Sequence, residues 1–573
     1  MKKSAFYGKQ VIIRAHRFIE NDSEAVTRSQ LFEEIISRFL KQLREKNSSY
    51  LQLLPENMIP KDQDRLMAGL LKALSEHPKE QVARESDAFR HVLEKSDTLH
   101  RFVWELYNYW RAFERFFVYY SSEEEIIARK KPARAFNATA ELLNALVRKV
   151  YRDICENITG RSQRIYRQIA AGCQVALIVK QEELEYPRAY AKLKGVNVIK
   201  QVLIEPPLII DPPMNKREGK FEKAGKNPIA DIEIDPKKWL CYPAKVGEFT
   251  IHVLFHNRFI GLGSALANLF ELDDNNRPDA IYAFGVNSKQ VGKALFYDDR
   301  GFLFAAAPGT DEYGYFGYVK KMVLTLHNII CMKKGRLPIH GAMVRIKLKN
   351  GNPAHVLIVG DSGAGKSESI EAFRVLAKRH ISDFSIVFDD MGSLDITPRG
   401  VRAYGTEIGA FVRLDDLSPG FAFGSIDRSI IMSPHRTNAR AIIPITTPAE
   451  ITRGYGIDYF LYANNYEEID SEHPHLERIR SAGEALKIFG EGARMAKGTT
   501  TEKGLVHTYF ANLFGPPQYR ELHDRLARKY FNKLFAEKMY VGQLRTRLGI
   551  EGYEAKGPET AAKALLQAIS ESE

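Results

Sequence analysis

Four apolar residues, Val356 to Val359, run into Gly360-Asp361-Ser362-Gly363-Ala364-Gly365-Lys366-Ser367-Glu368. The spacing of Gly360, Gly365, Lys366 and Ser367 fits G-x-x-x-x-G-K-[ST]. Glycines at these places let successive backbone N–H groups turn inward onto phosphate oxygens. A following helix adds its positive dipole end, a lysine reaches the outer phosphates, and a hydroxyl serves Mg²⁺. The residues from Gly360 to Glu368 are therefore expected to cradle a nucleotide or another polyphosphate. Such a site needs an acid at the end of a neighbouring strand to hold the cation. Asp389-Asp390 closes the apolar run Ser385 to Phe388, far enough downstream for one helix and one strand in a right-handed crossover. Taken alone, Lys320-Lys321 reads as a solvated helix face and His340 as a hydrogen-bonded core histidine.

Around these residues the chain needs elements to carry them. The run Phe316 to Met332 predicts a helix, and Leu337 onward a strand that turns at Asn350-Gly351-Asn352-Pro353 into the strand before the glycines. Residues from about 20 to 155 read as helical, with Leu31, Ile35, Ile36, Phe39, Leu40 and Leu43 at helical spacing behind Asp22-Ser23. The aromatic-dense stretch Leu99 to Tyr120 could stack bases, but reads better as an aromatic helix packed in a bundle. Glu123 to Lys131 reads as a solvated connection. From about residue 160 strand-like runs dominate: Val175 to Val179, Phe249 to Phe255, Ala280 to Val286. A charged loop is expected at Lys216 to Asn227 and a helix at Ser264 to Leu272.

At 573 residues the chain exceeds one ordinary core. The expected division is a helical region over 1–158, a mixed α/β substrate-side domain over 159–310, and an α/β nucleotide-binding domain over 311–573. The site would lie in the cleft between the last two. No apolar run approaches the ~20 residues of a membrane span, and the basic N-terminus lacks the apolar stretch of a signal peptide. Four cysteines without C-x-x-C spacing suit a reducing cytoplasm. The net charge of +12 is dispersed among acids, which makes nucleic acid a poorer partner than anionic phosphates.

Six collinear stretches add a resemblance. Tyr315-Phe-Gly-Tyr-Val-Lys320-Lys321, Leu337-Pro-Ile-His340-Gly-Ala, the glycine-rich stretch with Asp389-Asp390, Glu407-Ile-Gly-Ala-Phe-Val-Arg413, Thr437-Asn438-Ala-Arg440, and Lys497 to Gly504 followed by Tyr509 to Pro516 resemble, in order, the core of phosphoenolpyruvate carboxykinases. The likeness spans roughly residues 300 to 550. The glycine-rich stretch itself is similar to that of HPr kinase/phosphorylase, a relative. The resemblance implies a phosphoenolpyruvate carboxykinase-like P-loop fold and a nucleotide- and metal-dependent phosphotransferase. It implies Mn²⁺ held by Lys321, His340 and Asp390, and Mg²⁺ held by Ser367 with the nucleotide. Lys366 and Arg440 would neutralise the transferred phosphoryl group, beside Asp389 and Asp390. Tyr315, Glu407 and Arg161 would face the substrate, Arg161 through Thr159-Gly160-Arg161-Ser162, which departs from the family motif at Gln163. The donor could be ATP, GTP or pyrophosphate. Three activities remain: a kinase with a hydroxyl or carboxylate acceptor, a true carboxykinase making phosphoenolpyruvate from oxaloacetate, and a regulatory protein that only binds nucleotide.

Overall fold

The computed structural model describes residues 4–15, 23–120, 132–161, 171–217, 221–348, 353–361, 363–414, 426–496, 503–554 and 556–571. Ser362, the turn residues 350–352, the connection 123–131 and the stretch 497–502 lie outside them, as does the Ser367 side chain. The protein is mixed α/β with several sheets. It divides into two compact units: Met1–Lys180 with Ile199–Leu208, and Gln181–Val198 with Ile209–Glu573.

In the first unit the helix Gln30–Glu45 begins where Ser29 accepts the Phe32 N–H, and it buries Ile35, Ile36, Phe39, Leu40 and Leu43 on one face. Helices Pro60–Glu76, Ser96–Arg111 and Pro132–Thr159 pack with it around one apolar core. The region is not helical throughout, however. Ser4–Tyr7 pairs antiparallel with Gln10–Ala15, which pairs in parallel with Glu114–Tyr120, which in turn pairs in parallel with Val175–Lys180. The aromatic stretch expected as one helix is thus a helix to Arg111 and then a strand. The reason is burial on both faces: Phe116, Phe117, Val118 and Tyr119 are all buried, and a strand inside a parallel sheet is continuously apolar instead of alternating.

The second unit holds two large sheets. In one, Trp239–Val246, Phe249–His256, Ala280–Val286, Phe302–Pro308 and Leu295–Asp299 lie side by side. The predicted helix at Ser264 to Leu272 falls earlier, at Ile260–Ser264, and continues as a 3₁₀ turn to Asn268. In the other sheet, Gly400–Gly405, Met391–Thr397, Leu337–Leu348, Pro353–Val359, Tyr459–Asn464, Tyr540–Arg545 and Leu476–Arg478 follow in order. The helix Phe316–Lys333 touches strands of both sheets, so it is buried on all sides.

The long strand Leu337–Leu348 organises the second sheet. One edge pairs antiparallel with Pro353–Val359, and the other pairs first with Met391–Thr397 and then with Ile381–Phe388. The acids Asp389 and Asp390 therefore sit at the corner between two strands on that edge. The strand that delivers them is one place removed from Pro353–Val359, not its immediate neighbour as the crossover argument supposed. Asp390 turns the corner at φ 82, a left-handed conformation in which aspartate is tolerated better than most residues.

Candidate functional site

Two backbone hydrogen bonds bring the loop, the histidine and the acids together. Gly360 N–H donates to the His340 carbonyl and Gly341 N–H to the Asp390 carbonyl, both at 3.0 Å. The strand register alone does this, because His340 pairs with Met391 while Gly341 pairs with Val359. Gly341 must stay small: a Cβ there would lie 2.7 Å from the Ile358 carbonyl oxygen.

The buried helix supplies two lysines to Asp390. Lys320 Nζ lies 2.5 Å and Lys321 Nζ 2.6 Å from Asp390 Oδ2, while His340 Nε2 lies 2.8 Å from Oδ1. Lys320 also reaches Glu407 Oε1 at 3.3 Å, and Thr406 donates its hydroxyl to the other Glu407 oxygen. Neither lysine is a solvated face: Lys320 is fully buried, because its helix packs between two sheets. Charges removed from water must pair or neutralise. Burial pulls Lys320 down, but Asp390 and Glu407 outweigh it and raise its pKa. For Lys321 burial wins, helped by Lys320, and its pKa falls below the ordinary lysine value. Burial works to raise Asp390, yet Lys320, Lys321 and His340 hold it well below the carboxylate range. Burial pushes Glu407 up to about 8, and burial with the Asp390 charge raises Asp389.

His340 decides what the cluster can bind. Its Nδ1 lies 2.6 Å from the Ala511 carbonyl, so that nitrogen carries the proton. The neutral ring then aims the Nε2 lone pair at a carboxylate oxygen, and a cation is needed between them. Burial and the nearby Lys366 charge lower His340 below its ordinary value, which works against supplying that cation as a second proton. A lysine whose pKa is lowered, a histidine whose Nε2 faces the carboxylate and an ionised aspartate are groups that could hold a divalent metal. Among the described residues no cluster of three His, Cys, Asp or Glu side chains could hold a metal, so the lysine is essential to this reading. The backbone pays for the histidine contact: Phe510 and Ala511 adopt φ 49 and 52 in succession.

The glycine-rich loop is held from outside by residues that the motif does not reveal. Asn465 donates to the Gly363 carbonyl at 2.9 Å and Thr546 to that of Ala364 at 3.1 Å. The Asp361 carboxylate takes Arg494 Nε at 3.1 Å and the Thr508 hydroxyl at 2.9 Å. Gly363 and Gly365 stand at φ 81 and 101, and a Cβ on Gly365 would meet Thr546 Oγ1 at 2.6 Å. Lys366 opens the helix Lys366–His380 and turns its Nζ back onto the carbonyls of Gly360 (2.6 Å) and Asp361 (3.0 Å). Glu368 lies in the first turn of that helix.

Phe411 links the remaining predicted residues to this cluster. Lys320 Nζ stands 5.8 Å and the Arg440 guanidinium 5.5 Å from its ring centre, and Tyr315 packs 6.1 Å from it. Arg440 is steadied by its Nε donating to Asn438 Oδ1 at 2.9 Å. Arg217 was missed, since Lys216 to Asn227 looked like a charged surface loop. Its guanidinium lies 5.2 Å from the Phe514 ring, whose centre is 4.8 Å from Lys321 Nζ. Burial lowers Arg217, with Tyr318, Tyr315 and Asp361 opposing that shift. Arg161 is exposed and belongs to the first unit, whereas every other described site residue is in the second. Most of both regions expected to flank the site falls within the second unit. No helix among the described residues is long and apolar enough to cross a membrane. Comparison of the chain with protein-family models and with curated proteins finds no match.

Proposed function

We propose that the second unit is a nucleotide- and divalent-metal-dependent phosphotransferase with a phosphoenolpyruvate carboxykinase-like P-loop arrangement. The observation that supports it best is the Lys321–His340–Asp390 cluster lying one backbone hydrogen bond from the glycine-rich loop. In this reading the loop that follows Gly360 cradles the polyphosphate with backbone N–H groups at the start of the helix Lys366–His380, and Lys366 leaves its loop carbonyls for the outer phosphate oxygens. Lys321, His340 and Asp390 would hold Mn²⁺, and Ser367 would serve Mg²⁺; a cation bound there withdraws charge from the phosphoryl oxygens. Arg440, with Lys366, would neutralise the transferred phosphoryl group, Arg217 would add fixed positive charge, and Tyr315, packed against Phe411, would face the substrate. Glu407 balances Lys320 so that only one lysine of the pair is available for a metal. The phosphoryl donor would be ATP, GTP or pyrophosphate.

A screen tests this directly. Purified protein with Mg²⁺ and Mn²⁺ is offered ATP, GTP or pyrophosphate against small hydroxyl compounds, carboxylates and oxaloacetate. The proposal expects a phosphorylated product with at least one donor, reduced about 10²–10³-fold in Lys366→Ala. CO₂ release from oxaloacetate would identify a carboxykinase. Nucleotide binding abolished by Lys366→Ala, with no product from any pool, would leave a regulatory nucleotide-binding protein instead.

A further inference from the structure

The first unit contains a cavity of about 670 Å³ that the phosphotransfer reading does not use. It lies between the helices and the sheet of that unit, with Ile13 and Phe117 on the sheet side and Ile35, Leu71, Val103 and Ile154 on the helix side. Close-packed interiors contain few voids larger than a water molecule, whereas small-molecule sites occupy roughly 300–1,000 Å³. This cavity falls in the second range although its lining belongs largely to the unit's apolar core. Val26, Leu31, Phe32 and Val147 are only partly buried and line it too, so the cavity continues toward the surface.

The lining selects a chemistry. Branched aliphatic side chains outnumber aromatic ones, which suits a flexible alkyl chain better than a flat ring. The charged groups among the described lining residues are Arg14 and Arg28, with no aspartate or glutamate. Arg28 pairs with Glu24 at the exposed end of this region, and Arg14 with the Tyr120 hydroxyl. Arg148 and Arg152, on the helix Pro132–Thr159, also bear on the Tyr107 hydroxyl at the cavity wall. The Tyr151 hydroxyl is buried beside the Cys155 thiol without a nitrogen or oxygen partner. We propose that this cavity binds the chain of a long-chain carboxylate, with an arginine of its lining, Arg14 or Arg28, holding the carboxylate.

The test uses the full chain and cis-parinaric acid, a fluorescent long-chain carboxylate. Saturable binding with one site per chain is expected, and palmitate should displace the probe at least about tenfold better than hexadecanol or hexadecylamine. Val147→Trp, which fills the cavity from a partly buried position, should weaken binding about tenfold or more while leaving the melting temperature unchanged or higher. Leu31→Trp gives the same readout should Val147→Trp fail to fold. Non-saturating uptake, equal binding by a folded filling variant, or displacement led by hexadecylamine would each overturn the proposal. Phosphotransfer activity is not read in this experiment, so the two proposals fail independently.

Discussion

Asp390 carries three nitrogen contacts on two oxygens, at a backbone conformation few side chains accept. Glu407 shares Lys320 with it at 3.3 Å from inside the core, and its burial has a pH signature. Burial raises Glu407 from its ordinary value to about 8, so its contribution to stability is full below the unfolded value near 4.5 and is lost as pH rises through about 8. Thermal unfolding from pH 5 to 9 should show the wild-type melting temperature falling relative to Glu407→Gln. Parallel curves would remove Glu407 from the account. Lys366 and Asp390 were candidates from their spacing, whereas His340 and Lys321 became candidates only through the resemblance, since alone they read as core and surface residues. Arg217 was not legible: its loop is charged and glycine-bearing like any surface loop, and only the packing of Phe221 and Phe514 around it makes it a site residue.

At the scale of elements, the glycine-rich loop is a junction with no spare volume. Gly365 combines a left-handed backbone with a neighbour, Thr546, that would clash with any Cβ. Gly365→Ala is expected to lose nucleotide binding at least about tenfold by calorimetric titration, with the far-UV spectrum retained; undiminished binding would show that the loop tolerates distortion. In the first unit the strand Glu114–Tyr120 supports the core from within a parallel sheet. Phe117→Ala should therefore cost about 3–5 kcal/mol in denaturant unfolding, whereas a surface position would cost little. The helix-to-strand change at Ala112 and Phe113 was hidden because an aromatic run buried on both faces has no period to read. The buried helix Phe316–Lys333 was legible as a helix, but not as the element between two sheets that forces its lysines into ion pairs.

The two units differ in character: an apolar cavity in the first, a buried cluster of lysines, histidine and acids beside the glycine-rich loop in the second. The alternation of strands and helices made the mixed α/β class readable. The segment 181–198 joins the second unit and 199–208 returns to the first. Within the second unit, the central claim is that Lys321, His340 and Asp390 together form a divalent-metal site next to the loop. Electron paramagnetic resonance titration of Mn²⁺ into purified protein, with and without ATP, measures this most directly. The account predicts one saturable Mn²⁺ site that tightens with ATP and is lost in Lys321→Met and in Asp390→Asn. Mn²⁺ binding unchanged in both folded variants would contradict it.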